Sequence, residues 1–196
     1  MSTVYTIGHS AHAWEAFAAL LKEHRIEVVV DIRSAPYSRF APQFDHEVLE
    51  QKLAEAGVKH LFLGAELGGR PKDPECYDKQ GHALYGRMTA NLEFQAGIER
   101  LERGIAGYRV ALLCGEEDPA HCHRRLLVGR VLAERGHELL HIRAGGRLQS
   151  EAELTAESGK PLVKEQPALF AELEEDQWRS TASVSLKRAP ASSSAR

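Results

Sequence analysis

The hydrophobic residues of this chain follow two different spacings, which alternate along the first 143 residues. Short and almost continuous apolar runs, typical of buried strands in a parallel sheet, occupy residues 4–7, 28–32, 58–63, 108–114 and 138–142. Between them, apolar residues recur every three or four positions, as in amphipathic helices, over residues 14–21, 46–56, 83–105 and 119–135. Gly97 is a candidate break in the third of these helices. The pattern therefore predicts alternating strands and helices.

Alternating strands and helices predict a three-layer α/β fold, with a mostly parallel five-stranded sheet covered by helices on both faces, as in Rossmann-like proteins. Parallel strands joined in this way need crossover connections of one hand, which bring the carboxyl ends of all the strands to one edge of the sheet. Open α/β sheets bind their ligands at that edge. We therefore expect the functional site there.

The composition of the chain changes after about residue 145. We assign residues 1–145 to the α/β domain and residues 146–178 to a C-terminal appendage that packs on it, with one short helix over residues 168–176. Residues 179–196 are rich in Ser and Ala and carry four positive charges and no acidic residue. Such a segment buries too little apolar surface to offset the entropy lost on ordering, so it is predicted to be a disordered tail.

Composition also restricts the class of protein. The 196 residues have a net charge of −3 and a pI near 6.4, so only a local basic patch would bring the chain to nucleic acid. No apolar run has the length of a membrane span, and the first residues lack the features of a signal peptide. Three cysteines, an odd number, argue against a secreted disulfide scaffold and for a reducing compartment. The expectation is a cytoplasmic protein without a membrane partner.

Polar and charged side chains follow the predicted strands, at the edge where a ligand is expected. They are His9 after the first strand, Asp31, Arg33, Ser38 and Arg39 after the second, Arg70 after the third, and Cys114 and Glu116 after the fourth. These residue types recur directly after apolar strands more often than the composition requires. A pocket at this edge of the sheet is therefore predicted.

Four motifs in these loops resemble a known family. They are TIGHS at residues 6–10, VDIRSAPYSR at residues 30–39, LGAELGGR at residues 63–70, and LCGE at residues 113–116 followed by CHR at residues 122–124. In this order and spacing they are similar to the family of domain of unknown function 488, over residues 3–143. The resemblance implies an α/β domain and brings no reaction with it. His60 stands where the resemblance leads us to expect an aromatic residue such as Tyr.

The last motif contains two cysteines whose surroundings differ. Asp118 and Pro119 are typical of a helix start, which would place Cys122 in the first turn of a helix. The helix dipole and the neighbouring cations, His121, His123, Arg124 and Arg125, would then favour a reactive thiolate. The alternative is a Cys122 that packs against the sheet as a small apolar residue. Cys114 is followed by three acidic residues that disfavour a thiolate, so packing at the strand end is the better interpretation for it.

The same stretch is a poor match for two well-known kinds of site. An anion-binding loop of the phosphatase or rhodanese kind needs an arginine five or six residues after its cysteine, but Ala120 stands there and Arg124 comes too late. Seven residues separate the two cysteines, whereas structural zinc sites pair their ligands at shorter spacing. We therefore predict no metal site, and no pattern identifies a cofactor. A reversible disulfide between the two cysteines stays an alternative.

The other candidates are an acid–base pair and a set of arginines. His9 and Asp31 would end neighbouring strands in the usual order, and a histidine oriented by an aspartate is a candidate general base. Four arginines lie in or beside the motifs: Arg33, Arg39, Arg70 and Arg124. They would bind a phosphate or carboxylate, or pair with Asp31, Glu66 and Glu116 to hold the loops. We interpret the consecutive glycines of LGAELGGR as a tight turn.

Three functional hypotheses follow. The first is an enzyme acting on an anionic small molecule, a nucleotide or a nucleic-acid component, with two sets of residues in its site. The catalytic set is His9, Asp31, Glu116 and Cys122, and the substrate-binding set is Arg33, Ser38, Arg39, Arg70, His123 and Arg124. The second is a binding module for a nucleotide or nucleic acid, in which the same arginines bind and nothing is turned over. The third is a redox sensor that uses the two cysteines.

Overall fold

The computed structural model, which describes residues 2–162 and 178–184, has a six-stranded sheet at its centre. Its strands are β1 (Thr3–Gly8), β2 (Val28–Asp31), β3 (Lys59–Phe62), β4 (Val110–Cys114), β5 (Glu138–Ile142) and β6 (Leu148–Ser150), in the order β3-β2-β4-β1-β5-β6. All neighbouring strands are parallel except β5 and β6. The predicted α/β fold with a mostly parallel sheet is therefore confirmed. The sixth strand was not predicted, because its three residues, LQS, are too few and too polar to show a strand pattern.

The described part of the chain has seven α-helices. They are α1 (Trp14–Glu23), α2 (His46–Glu55), α3 (Gly64–Leu67), α4 (Tyr85–Ala90), α5 (Leu92–Gly107), α6 (Arg130–Glu134) and α7 (Glu151–Ser158). The helix predicted over residues 83–105 is two helices, separated at Asn91, whose side-chain oxygen accepts a hydrogen bond of 2.7 Å from the Glu93 N–H and so begins α5. Gly97, the predicted break, lies inside α5.

The segment predicted as one helix over residues 119–135 consists of three pieces. A 3₁₀ turn (Pro119–His121) is followed by a π-helical turn (Arg124–Gly129) and then by α6. Asp118 begins the first piece as expected, since its carboxylate accepts a hydrogen bond of 3.0 Å from the Ala120 N–H. Cys122 lies between the first two pieces with an extended backbone, φ −98° and ψ 141°. The expected position of Cys122 in the first turn of a helix is therefore wrong.

The sheet has a hydrophobic core on each face, as the three-layer prediction requires. Successive residues of β2 point in opposite directions, so that Val28 and Val30 belong to one core and Val29 to the other. One core is completed by α4, α5, α6 and the π-helical turn, and the other by α1 and α2. The strand order brings β4 between β1 and β2, and the carboxyl ends of all three strands meet at the same edge.

Residues that follow the predicted domain continue the same fold. Strand β6 extends the sheet beyond β5, so the sheet does not stop at the predicted boundary near residue 145. The Trp178 indole N–H donates a hydrogen bond of 2.7 Å to the Leu126 carbonyl. Backbone hydrogen bonds join Ser180 to Ala83 and Val184 to Gly81, although a disordered tail was predicted from residue 179. The predicted helix over residues 168–176 and the rest of the predicted tail, residues 185–196, lie outside the described residues.

A chain of buried polar side chains ties the π-helical turn to the sheet and to α7. The Arg124 guanidinium donates to the Thr6 hydroxyl over 3.3 Å, and that hydroxyl lies 2.8 Å from His141 Nδ1. His141 Nε2 lies 2.6 Å from the Glu151 carboxylate, which also accepts from Arg125 Nε at 2.9 Å. These partners satisfy the polar side chains of this chain of contacts, in a buried place where an unpaired polar group is costly. No helix in the described part of the chain is both long and apolar enough to span a membrane.

Candidate functional site

A cavity of about 740 Å³ opens at the edge of the sheet where the carboxyl ends of β1, β2 and β4 meet. Its walls come from the loops after these strands, from the start of α4 and from the C-terminal segment 180–184. Of the ten predicted site residues, seven line it: His9, Arg33, Ser38, Arg70, Glu116, Cys122 and His123. The structure therefore contains the pocket that the strand-end residues predict.

Two cysteines and a histidine meet in the wall of this cavity. Cys114 is the last residue of β4, and Cys122 and His123 follow the 3₁₀ turn that begins five residues later. His123 Nδ1 lies 3.6 Å from Cys114 Sγ and 4.0 Å from Cys122 Sγ, and the three atoms lie within 4.8 Å of one another. We call Cys114, Cys122 and His123 the thiol–imidazole cluster. All three cysteines of the chain are free thiols.

The ring of His123 is held from both sides. Its Nε2 lies 2.9 Å from the Ile32 carbonyl, which can only accept, so Nε2 carries the proton and Nδ1 faces the two sulfur atoms. A Cβ atom added to Gly69 would lie 2.7 Å from His123 Cγ, so this glycine leaves the space that the ring occupies. The glycine pair of LGAELGGR was interpreted as a tight turn, but Gly68 has an ordinary φ of −66°. A glycine is needed at position 69 because the chain there packs closely against the His123 ring.

The electrostatic environment distinguishes the two thiols. A hydrogen bond from Cys122 lowers the pKa of Cys114 well below its usual range against the effect of burial, and the positive charges of His123 and Arg124 lower it further. Burial, together with the neighbouring Cys114 thiolate, raises the pKa of Cys122. Burial alone would lower the pKa of His123, but the charge of Cys114 raises it. These directions favour a thiolate at Cys114 over one at Cys122, the reverse of the expectation from the sequence.

The prediction for the two cysteines depended on their neighbours in sequence, and the structure gives them different surroundings. Cys122 is not in the first turn of a helix and lacks the expected dipole. Of the acidic residues after Cys114, Glu117 and Asp118 form ion pairs with Arg143, at 2.9 Å and 3.3 Å, and hence do not repel the Cys114 charge. Their carboxylates are held by a residue that follows β5, about 25 positions further along the chain.

The expected pair of His9 and Asp31 is not formed, because β4 separates β1 from β2. Asp31 is completely buried outside the cavity and accepts two side-chain hydrogen bonds from Arg33, at 2.8 Å and 2.6 Å. Arg33 Nη1 donates to His9 Nε2 over 3.1 Å, and His9 Nδ1 donates to the Ser10 carbonyl over 2.8 Å. Both ring nitrogens of His9 are thus engaged, with Arg33 in the place expected for Asp31. Burial lowers the pKa of His9, in line with a neutral ring.

Arg124 has a structural position. It is completely buried and donates to the carbonyl oxygens of Glu116 and, over 2.6 Å, of Glu117. These bonds hold the loop after β4 in place, and they leave Arg124 beside the cavity without lining it. Arg124 therefore has the loop-holding role that was the alternative to ligand binding.

The rim of the cavity carries the remaining predicted residues and two exposed aromatic rings. Arg70 is exposed at the rim, and its backbone N–H donates to the Ser34 hydroxyl over 3.0 Å. Tyr37 and Phe40 line the cavity while 57% and 78% of their surface stays exposed. Arg39 lies outside the cavity lining, with its guanidinium 4.6 Å from the centre of the Phe40 ring. The mouth of the cavity is therefore aromatic and carries positive charge.

Several residues of the cavity were missed by the sequence analysis as site residues. Tyr85 lies in the cavity wall, and burial and the nearby Cys122 and Cys114 raise its pKa. Ser180 and Val184 also line the cavity. Neither the first residue of α4 nor a segment after residue 178 follows a strand, so the search for polar residues at strand ends could not find them. Cys114 ends β4, and its position directly after VALL was the available signal.

A second group of possible metal ligands lies outside the cavity lining. Asp31, His46 and His60 bring one ligand atom each within 4.8 Å of one another. His46 Nδ1 and His60 Nε2 are buried and have no hydrogen-bond partner among the described residues. Burial lowers the pKa of His60 although Asp31 raises it. Both oxygens of Asp31 are already bonded to Arg33, whose positive charge would oppose a cation there.

Comparison with known proteins supports the family that the sequence resembles. A family profile matches residues 13–131, which includes β2 to β4 and the thiol–imidazole cluster, while TIGHS lies before the matched region. No curated protein and no solved structure matches the chain. The match extends over more than half of the 196 residues. The chain belongs to the family described as domain of unknown function DUF488.

Proposed function

We propose that the protein is an enzyme that acts on an anionic small molecule of the nucleotide type, with the thiol–imidazole cluster as its reaction centre. The observation that carries this proposal is the position of the cluster. Three side chains with nucleophilic or ligand chemistry share one wall of a cavity whose mouth is aromatic and positively charged. This is the arrangement by which a substrate is bound at one end and reacts at the other.

Recognition of an anion is assigned to Arg70, with help from Arg33 and Ser38. Arg70 is an exposed cation on the rim, and a guanidinium binds phosphate or carboxylate through two parallel hydrogen bonds. Arg33 also lines the cavity, but its charge is balanced by Asp31, so it serves mainly as a hydrogen-bond donor. The Ser38 hydroxyl already accepts from the Phe40 N–H and has its own proton left to donate.

Binding of a base or another flat ring of the substrate is assigned to two exposed aromatic side chains. Tyr37 and Phe40 are two of the large apolar residues that the described structure leaves exposed, and both lie at the mouth of the cavity. Stacking on an aromatic ring contributes about 1–3 kcal/mol per base in single-stranded nucleic-acid complexes. Arg39, held over the Phe40 ring, adds positive charge beside that surface.

Chemistry is assigned to the cluster and to Glu116. Cys114, Cys122 and His123 face the cavity, and Glu116 brings a carboxylate to the same wall, where it is placed to transfer protons. His9 is assigned a positioning role, because both its nitrogens are bonded and it stacks on Phe44 with ring centres 4.5 Å apart. A cytoplasmic, reducing setting is part of the proposal, since it keeps the thiols available.

The proposal is tested by calorimetric binding of nucleoside monophosphates, ribose 5-phosphate and inorganic phosphate to the full chain. Arg70→Ala should weaken the binding of all three ligands, whereas Phe40→Ala should weaken only the binding of the nucleoside monophosphates. Matched controls are Arg103→Ala, an exposed arginine of α5, and Leu92→Ala, which is 80% exposed. Neither control residue lines the cavity, so both variants should bind as the wild type does. No binding by the wild type, or equal losses in a variant and its control, would refute the proposal.

A binding module is the second candidate, and the engaged nitrogens of His9 favour it. The two candidates differ in what Cys114→Ser does to a protein that binds a nucleotide. Turnover that is followed by mass spectrometry and lost in Cys114→Ser, with affinity kept, supports an enzyme. Binding without turnover in the wild type supports a module. The third hypothesis, redox sensing, requires the intact mass to fall by two hydrogens under mild oxidant.

A further inference from the structure

We infer that the thiol–imidazole cluster is a three-ligand site for a tetrahedral, thiophilic divalent cation, with Zn²⁺ as the best fit. The ligand atoms are Cys114 Sγ, Cys122 Sγ and His123 Nδ1, and the fourth position faces the cavity. The inference deepens the proposed function and rests on it for the use of that fourth position. It reverses the expectation from the sequence that the chain has no metal site.

The separations of the ligand atoms match those around a tetrahedral zinc ion. With Zn–S of about 2.3 Å, Zn–N of about 2.0–2.1 Å and angles of about 109°, a sulfur and a nitrogen ligand lie about 3.6 Å apart. The two Sγ–Nδ1 distances are 3.6 Å and 4.0 Å. All three atoms lie within 4.8 Å of one another, so a small movement of Cys122 completes the geometry.

The histidine is oriented as a metal ligand. Ile32 accepts the proton of Nε2, so once Nδ1 is deprotonated its lone pair points at the position between the two sulfurs. A hydrogen bond from the remote nitrogen to a carbonyl or carboxylate is the usual second partner of a histidine that binds metal. Because Gly69 leaves room for the ring, this orientation is built into the packing and does not depend on a solvent-exposed rotamer.

Charge balance also favours a divalent ion. Binding of M²⁺ forms two M–S bonds and one M–N bond, and any proton that Cys114 Sγ, Cys122 Sγ or His123 Nδ1 carries passes to solvent. The resulting group of one dication, two thiolates and a neutral imidazole has no net charge. This suits two sulfurs of residues that are only 6% and 2% exposed, where an unbalanced charge is costly.

The number of ligands indicates a catalytic type of site. Structural zinc sites have four protein ligands, whereas catalytic sites have three and leave a position for water or substrate. The described residues place no fourth His, Cys or carboxylate ligand within the cluster, while the cavity opens beside it. Such an ion would polarise a bound oxygen or activate water next to the proposed anion site.

The test is metal binding to the full chain, after treatment with a chelator and a thiol reductant under nitrogen. Co²⁺ serves as the spectroscopic probe for a zinc site, because it takes the same tetrahedral geometry. We expect one equivalent to give an intense thiolate-to-cobalt absorption in the near ultraviolet and the visible bands of tetrahedral Co²⁺, and Zn²⁺ to remove both. Elemental analysis of the protein as isolated should find about one Zn²⁺ per chain.

Three variants assign the ligands, and a fourth variant is the control. Cys114→Ser, Cys122→Ser and His123→Ala should each weaken metal binding by more than about tenfold, whereas Cys76→Ser should keep the wild-type spectrum. Cys76 is a buried free cysteine outside the cluster, so it controls for the loss of a thiol. If a cluster variant does not fold, the spectra of the wild type and Cys76→Ser still decide. A wild type without thiolate-to-cobalt absorption, a spectrum lost in Cys76→Ser, or an isolated protein two hydrogens lighter overturns the inference.

The two proposals fail in different measurements. Nucleotide binding without the cobalt spectrum overturns the metal site and leaves the proposed function. The cobalt spectrum without any nucleotide binding supports the metal site and refutes the substrate class. The two tests are independent, because nucleotide binding is assigned through variants of Arg70 and Phe40 and cobalt binding through variants of the thiol–imidazole cluster.

Discussion

Gly69→Ala is the sharpest test of the site, because it changes the space around His123 without removing any polar group. The new Cβ atom would lie 2.7 Å from His123 Cγ and 3.0 Å from Nδ1. Non-bonded carbon atoms prefer separations of about 3.5–4.0 Å, so the ring must move by about 1 Å. Such a movement breaks the 2.9 Å hydrogen bond to the Ile32 carbonyl or displaces the loop that carries residue 69.

The expected cost has two parts. Overpacking of a tightly packed site costs about 1–3 kcal/mol, and the lost hydrogen bond costs about 1 kcal/mol more. The free energy of unfolding should therefore fall by about 2–4 kcal/mol. In a domain of this size each kcal/mol lowers the melting temperature by about 2–4 °C, so we expect a decrease of about 5–15 °C.

The assay is thermal and urea unfolding of the wild type and Gly69→Ala, with Gly107→Ala as the control. A Cβ atom at Gly107 meets nothing within 4 Å, and the residue has no positive φ, so this variant should change stability by less than about 1 kcal/mol. If the cluster binds a cation, Gly69→Ala should also weaken Co²⁺ binding by about 10–100-fold, because the orientation of His123 is disturbed. Equal stability of Gly69→Ala and Gly107→Ala would refute the packing argument.

Three further predictions concern the supports of the site. Glu151→Gln should cost about 3 kcal/mol, because it leaves the buried Arg125 charge without its partner. Burial raises the pKa of Glu151, but its hydrogen bonds to His141 and Arg125 lower it below the usual value of 4.5. Its contribution to stability is therefore complete above pH 4.5 and is lost as the pH falls further. Urea titrations at several pH values should show that this pH dependence vanishes in Glu151→Gln. Arg124→Met should cost about 2–5 kcal/mol in urea unfolding, because the carbonyls at residues 116–117 lose their donor, and unchanged stability would contradict the loop-holding role. Trp178→Ala should cost about 3 kcal/mol and expose the C-terminal segment to limited proteolysis, whereas an unchanged cleavage pattern would show that this segment is not held by Trp178.

The α/β fold could be predicted from the sequence because each strand and helix shows its own pattern. Runs such as VVVDI and VALLC are apolar on both sides, as a strand covered by helices on two faces must be, and all five predicted strands are present. The position of the cavity followed from the same pattern, because parallel strands joined by crossovers bring their carboxyl ends to one edge. For this reason seven of the ten predicted site residues line one cavity.

The contacts inside the site could not be predicted in the same way. His9 and Asp31 were expected to meet, but the strand order inserts β4 between their strands, and a strand order is a choice among long-range pairings that no local pattern records. The environment of Cys114 was inferred from the acidic residues next to it, whereas Arg143, which directly follows β5, forms ion pairs with two of them. The first error comes from the strand order, and the second comes from reading charge along the chain when it acts through space.

The sequence by itself therefore determined the layers of this protein, the edge that carries its site and the residue types that reach it, because these depend on hydrophobic spacing over a few residues. Only the tertiary structure decided which of those residues touch. It distinguished the surroundings of the two cysteines, and it gave His123 its orientation through contacts with Ile32 and Gly69. Those contacts join residues about 50–90 positions apart, and they depend on how whole elements pack against one another.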